Sequence, residues 1–154
     1  MRSLYLVVLV LVLMAAQGCK SKQYPPYSPE FKFLSKEADG LYNIRSSGFG
    51  TGSEATVSDA QKNVFYHIIF KGIPGTDLNV PMVENEADAM AKHKEYFKKF
   101  FEEGRYRDFM LSSTLSSNMV NVNGGLQVLA DVKVNCNSLR KDLEQNQVIR
   151  KFGF

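Results

Sequence analysis

The stretch NGGLQVLADVKVNC, residues 123–136, decides the fold that the sequence predicts. Hydrophobic and polar side chains alternate through it, and the apolar members share one face of a strand: Leu126, Val128, Ala130, Val132, Val134 and Cys136. That face needs apolar elements, such as helices, packed against it. Asn123, Gly124 and Gly125 accept positive φ at little cost, so they predict the turn of a long hairpin over residues 106–136.

Two elements are predicted upstream of this hairpin. Residues 41–47, LYNIRSS, alternate like a half-buried strand. The next predicted element is a helix, with Ser53 as its N-cap and Gly72 as its stop. Its apolar residues recur at helical spacing: Val57, Ala60, Val64, Phe65, Ile68 and Ile69. The proline- and glycine-containing stretch that follows, residues 72–85, predicts a long loop that is either functional or simply mobile.

The remaining elements complete an α+β fold. A second helix is predicted over residues 85–103, and its apolar face comprises Ala87, Met90, Ala91, Phe97, Phe100 and Phe101. Asn137 is the predicted cap of a third helix over 138–145, and residues 148–154, VIRKFGF, predict a final strand. We therefore expect the order β-α-α-β-β-α-β, with an antiparallel or mixed sheet of about four strands and two long helices packed on one face.

The N-terminus has the pattern of a secretory signal peptide, residues 1–18. Arg2 provides the charged start, residues 4–16 are apolar, and small residues precede Cys19. The apolar stretch is shorter than the about 20 residues that span a bilayer, which disfavours the alternative of an uncleaved anchor helix. Ala16-Gln17-Gly18-Cys19 resembles the lipobox of bacterial lipoproteins, although Gln17 departs mildly from the commonest pattern. The resemblance implies that Cys19 is lipidated and becomes the first residue of the mature chain.

The anchor defines the remaining boundaries and the expected location. Residues 19–30 comprise the lipidated cysteine and a flexible proline-rich spacer, and residues 31–154 form a single α+β domain. By analogy with the sorting of such lipoproteins, Lys20 in place of an aspartate favours the outer membrane. No acidic cluster follows Cys19, so a periplasm-facing position is expected.

Charge and cysteine content narrow the partners. The formal net charge is +3, and no stripe of Lys and Arg with interleaved aromatic residues occurs, so nucleic acid is not an expected partner. If Cys19 is acylated, Cys136 is the one remaining cysteine, and no disulfide framework exists. The expected partner is the membrane, through acyl chains on Cys19, together with an envelope protein or a second copy of the chain.

Four groups of residues invite a sharper functional hypothesis. Gly48, Gly50 and Gly52 form a glycine-rich turn before a helix, a place for phosphate, but their spacing meets neither the Walker nor the dinucleotide pattern and favours close packing. His67 and His93 lack metal-site spacing, so packing and solvation explain them better.

The last two groups are a thiol and a set of rings. Cys136 ends an inward-facing set, which favours burial, and it would need distant His67 or His93 as a base. Phe97, Phe100 and Phe101 favour core over an apolar pocket. We therefore expect neither an enzyme nor a cofactor or metal.

Four segments of the mature chain carry a resemblance: GFGTGS, FKGIPG, YFKKFF and LRKDLEQNQVIRKFGF. With them the chain, from about Ile44 to Phe154, resembles small envelope lipoproteins of Bacteroides-type bacteria. The resemblance implies the compartment and the fold and brings no catalytic residue. The leading hypothesis is a structural or interaction component at the outer membrane. The alternatives are a periplasmic ligand-binding module that uses the core or residues 72–85, and an enzyme in which His67, His93 and Cys136 converge.

Overall fold

The computed structural model of the chain describes residues 30–122 and 124–151. It is an α+β structure with a five-stranded antiparallel sheet and four α-helices. The strands are β1 (Phe31–Ala38), β2 (Leu41–Gly50), β3 (Met110–Leu115), β4 (Val120–Val122) and β5 (Gly125–Asn135). The helices are α1 (Ser53–Phe70), α2 (Glu86–Lys92), α3 (Lys94–Phe97) and α4 (Cys136–Gln145). A π-helical turn (Lys98–Glu102) and a 3₁₀ turn (Arg105–Phe109) precede β3.

The predicted alternating strand, β5, is the centre of the sheet. The strand order is β1-β2-β5-β3, and β4 also pairs with β5. Val128, Ala130, Val132 and Val134 are buried, as their alternation predicted. Helix α1 covers this face, and Phe97 and Phe100 of the second helical region pack in turn on Phe70 and Phe65 of α1. The opposite face is polar, with Arg45 and Asp131 joined by two hydrogen bonds of 2.6 and 2.7 Å.

The glycine-rich segment belongs mainly to β2, so the predicted turn is wrong. A Cβ atom on Gly48 would lie 2.2 Å from the carbonyl oxygen of Thr56, and one on Gly50 would lie 2.7 Å from the Thr56 nitrogen. Both contacts are with the backbone of α1, which confirms the expectation of close packing. The helix begins one residue earlier than a Ser53 cap requires. Gly52 is the N-cap, and its carbonyl oxygen accepts hydrogen bonds from both the N–H and the Oγ1 of Thr56.

The second predicted helix, residues 85–103, is not continuous. It breaks at His93, where φ is −115° and ψ is 38°, and continues as α3 and the π-helical turn. Ala89 and Phe97 are both buried. These positions are eight residues apart, a spacing at which both lie within one apolar stripe of a helix. Ala87 and Ala91, predicted on the apolar face, are exposed instead.

Four further expectations need correction. Strand β1 was not predicted, because Lys32, Lys36 and Glu37 obscure its alternation. The first strand of the predicted hairpin is divided into β3 and β4. Helix α4 is capped by the side chain of Asn135, which accepts from the N–H of Ser138 at 3.0 Å, and not by Asn137. Residues 148–151 form no strand after α4, and 152–154 lie outside the described residues.

The loop after α1 is held against the sheet. Gly72 has φ of +77°, and its N–H bonds to the carbonyl oxygen of His67 at 2.8 Å, so it terminates the helix as predicted. Asp77 accepts hydrogen bonds from Tyr42 at 2.6 Å and from Lys36 at 2.8 Å. These bonds fix the loop beside the β1–β2 hairpin.

Candidate functional site

The lone thiol of the described residues is unsuited to nucleophilic chemistry. Cys136 is buried at the start of α4. Burial raises the pKa of its thiol to about 12, and the negative charge of Asp77 acts in the same direction. The thiol is therefore protonated at neutral pH, whereas a nucleophilic cysteine needs its thiolate.

The two histidines have different surroundings. His67 stacks on Phe31 with ring centroids 4.2 Å apart, and its Nε2 is buried without a hydrogen-bond partner. Burial and the charge of Lys71 lower its pKa. His93 lies at the break between α2 and α3. The hydrogen bonds and ring contacts of the described residues join neither histidine to Cys136, so the His67–His93–Cys136 arrangement has no support in these contacts.

The other residues chosen from the sequence are structural. Phe97 and Phe100 belong to the buried aromatic cluster, as expected, and Phe101 is only partly covered. The backbone of α1 fills the space beside the Cα atoms of Gly48 and Gly50, so no phosphate fits there. Across residues 30–122 and 124–151, no group of three metal-ligating side chains comes together. Cys19, the predicted lipidation site, lies outside the described residues.

A buried carboxylate, Asp142, is the centre of a polar cluster that the sequence did not indicate. Asp142 of α4 pairs with Arg105, and its other oxygen accepts from the Tyr96 hydroxyl at 2.8 Å. Burial and this hydrogen bond raise the pKa of Tyr96. These bonds connect α3, the 3₁₀ turn and α4. Because the groups of the cluster bond to one another, they offer no free catalytic group.

A second polar chain runs through the interior beneath the sheet. Tyr106 is fully buried, and its hydroxyl lies 3.0 Å from the Ser58 Oγ and 3.2 Å from the Gln61 Oε1. The Gln61 amide then donates to Ser113 Oγ at 3.1 Å. These hydrogen bonds connect α1 to β3 and so position the strand that borders the sheet.

A groove of about 640 Å³ lies where the loop after α1, α2, α4 and residues 148–151 meet. Its apolar members are Met82, Val83, Ala89, Val148 and Ile149. Charged side chains of both signs border it: Glu84, Asp88, Lys92, Arg140, Arg150 and Lys151. The groove includes the end of the loop that the sequence singled out.

Strands β3 and β4 form a border of the sheet. Within the described residues, these strands pair with β5 on one side only. Residues 109–130 carry no charged side chain and no proline. Four large hydrophobic side chains of the described chain are exposed, and three lie on this border: Leu111, Leu115 and Val120, with Val80 in a loop as the fourth. We call β3 and β4 together the open edge.

The backbone of the open edge is available for hydrogen bonding. The N–H of Ser116 points to β5, where it bonds to the carbonyl oxygen of Leu129 at 2.8 Å. Because backbone groups alternate in direction along a strand, those of Leu115 and Ser113 point away from β5. An edge with unpaired backbone groups and exposed leucines is a template for strand addition.

The comparisons with known proteins add no family. No family model, no curated protein and no solved structure matches the chain. Among the described residues, no helix has the length and apolar character needed to span a membrane.

Proposed function

We propose that the protein is a lipid-anchored component of the bacterial envelope, and that its domain serves structure or interaction rather than catalysis. In this proposal acyl chains on Cys19 hold it at the outer membrane, facing the periplasm, and the open edge contacts an envelope protein or a second copy of the chain. The observation that carries the proposal is the open edge, because an uncharged strand with exposed leucines is costly to leave in water unless it is covered.

Two arguments support the lipid anchor: the signal-peptide pattern of residues 1–18 and the free energy of burying acyl chains in a bilayer. Each buried methylene contributes about 0.8 kcal/mol, and two or more acyl chains hold a protein stably on a bilayer. Lys20 and Lys22 would each add about 1 kcal/mol at an anionic surface. The lipid therefore dominates the attachment, and residues 20–29 act as a spacer between bilayer and domain.

The interaction role is supported by what the interior contains. The buried thiol is protonated, and the polar clusters at Asp142 and Tyr106 have their hydrogen bonds satisfied within the fold. Such groups stabilise a framework. They supply neither a nucleophile nor an acid–base pair that faces a cleft.

Two measurements test the proposal. Mass spectrometry of the protein extracted from membranes is expected to show a chain that begins at Cys19 and carries added lipid mass. Crosslinking in intact envelopes, followed by capture of the tagged protein, is expected to give a crosslinked band. Leu115→Lys should lose that band and Val80→Lys should keep it, because Val80 is also apolar and exposed but lies off the edge. A water-soluble product without lipid, or recovery of the wild type only as an uncrosslinked monomer, would count against the proposal.

The groove supports a second candidate, a periplasmic module that binds a small ligand. Its apolar floor and the four cations on its border, Lys92, Arg140, Arg150 and Lys151, fit an anionic amphiphile. Calorimetric titration with dodecanoate tests this function. Saturable binding that Val148→Asp abolishes would support it, and no binding at millimolar dodecanoate would reject it.

A further inference from the structure

The open edge has an internal symmetry that suggests a specific partner. Leu111 and Leu115 are 56% and 52% exposed, and they stand two positions either side of Ser113. If two such strands run antiparallel and are centred on Ser113, Leu111 of each copy stands opposite Leu115 of the other. We infer that β3 pairs in this register with β3 of a second copy of the chain and extends the two sheets into one.

The absence of charge from β3 favours a second copy of the chain as its partner. Two copies of an uncharged strand meet without like-charge repulsion, which otherwise opposes the pairing of identical edges. The outward backbone groups of Ser113 face Ser113 of the other copy, and those of Leu115 face Leu111 of the other copy. The twofold axis then passes between the two Ser113 residues, perpendicular to the sheet, so both copies carry α1 on the same face.

Other segments of the chain are poorer occupants of the edge. Residues 152–154 are too few to cover the six residues of β3. Residues 20–29 include Pro25, Pro26 and Pro29, each of which lacks a backbone donor. Residues 1–18 leave the mature protein under the proposed function, and on that point the inference rests on the proposal above.

The size of the contact indicates a weak dimer in solution. A stable interface buries about 1,200–2,000 Å², and a six-residue strand pair provides only part of that area. Lipid anchors confine both copies to one surface and raise their effective concentration, as a linker does. Pairing should therefore be stronger for the anchored chain than for the same chain at low concentration in detergent.

Cysteine crosslinking tests the partner and the register together. Full-length chains with Leu111→Cys and Leu115→Cys carry different tags and are expressed together, and their membranes are oxidised with copper phenanthroline. Opposed residues have Cα atoms about 5.5 Å apart, which is within disulfide range. We expect at least tenfold more disulfide between the two different variants than between two copies of one variant. Like positions are separated by four residues, about 13 Å.

Val80→Cys is the matched control, since its side chain is 63% exposed but lies in a loop. Crosslinking of Leu111→Cys to Leu115→Cys at only the level of the Val80→Cys control would overturn the inference, as would a crosslink to a protein of different mass. A urea midpoint for each variant close to that of the wild type shows that the fold is kept. Lipid on Cys19 is measured in the same samples, so loss of the anchor and loss of the pairing are distinguished.

Discussion

The two borders of the sheet are built in opposite ways. Strand β1 carries Lys32, Lys36 and Glu37, and its pairing with β2 has two register shifts, one between Phe33 and Ser35 and one between Lys36 and Ala38. Charges and bulges of this kind prevent strand addition. Strand β3 is uncharged and has one register shift, between Met110 and Ser112. One border is therefore protected by three charges and two bulges, whereas the other has a single bulge and no charge, which is why we propose β3 as the contact surface.

Between the two borders, helix α1 packs closely on strand β2, and Gly48→Ala tests this contact with the largest expected effect. The added methyl group would overlap the carbonyl oxygen of Thr56 and the nitrogen of Ala60, so α1 must move off β2. We expect the free energy of unfolding to fall by about 3 kcal/mol, measured by urea denaturation.

Gly52→Ser is the control for this substitution, because nothing lies within 4 Å of a Cβ there. Its effect should stay within about 0.5 kcal/mol, since serine is a good N-cap. An equal and small effect of both variants would show that the close approach of helix and strand is absent.

Leu115→Lys places a charged side chain on the open edge, as Lys32 and Lys36 do on β1. We expect self-association of the full-length protein in detergent to weaken at least tenfold, equivalent to about 1.4 kcal/mol, in sedimentation equilibrium. The free energy of unfolding should change by no more than about 0.5 kcal/mol, because the side chain is exposed. Association that persists unchanged would remove β3 from the contact.

The borders should also differ in their response to acid. Hydrogen bonds from Lys36 and Tyr42 lower the pKa of Asp77 from its usual 3.8 to about 2. A lowered carboxyl pKa stabilises the fold above the unfolded pKa, and the stabilisation is lost as pH falls from about 4 to about 2. Asp77→Asn should therefore lower the urea midpoint at pH 6, by less than Gly48→Ala does.

This gap between the wild type and Asp77→Asn should close as pH approaches 2. Asp39→Asn is the control, because Asp39 lies farther from the Lys36 ammonium, at 3.7 Å against 2.8 Å for Asp77. A gap that is the same at pH 6 and near pH 2 would contradict the role of the Asp77 charge at the β1 border.

Lys32→Leu tests whether charge alone protects β1 from pairing with another strand. Its expected effect is the smallest. Both register shifts remain in this variant, so the row of backbone groups stays irregular. We expect self-association to change less than twofold in the same sedimentation experiment. A new dimer that survives Leu115→Lys would show that bulges do not protect the edge.

The sequence predicted the elements whose hydrophobic period is regular and missed those where tertiary packing or charge interrupts it. Strand β5 and helix α1 have clean periods of 2 and 3.6 residues, and the structure confirms both. The break at His93 has no local signal, since residues 85–103 contain neither a proline nor a glycine. The absence of charge from residues 109–130 was visible in the sequence, but only the strand order shows that β3 and β4, within this run, form a border.

The most direct test of the open edge is hydrogen–deuterium exchange of the membrane-anchored wild type, compared with the same chain diluted in detergent. Peptides that cover Met110–Leu115 and Phe31–Ala38 report the two borders in one experiment. We predict slower exchange in the β3 peptide on the membrane and unchanged exchange in the β1 peptide. Slower exchange in β1 with no change in β3 would contradict the account.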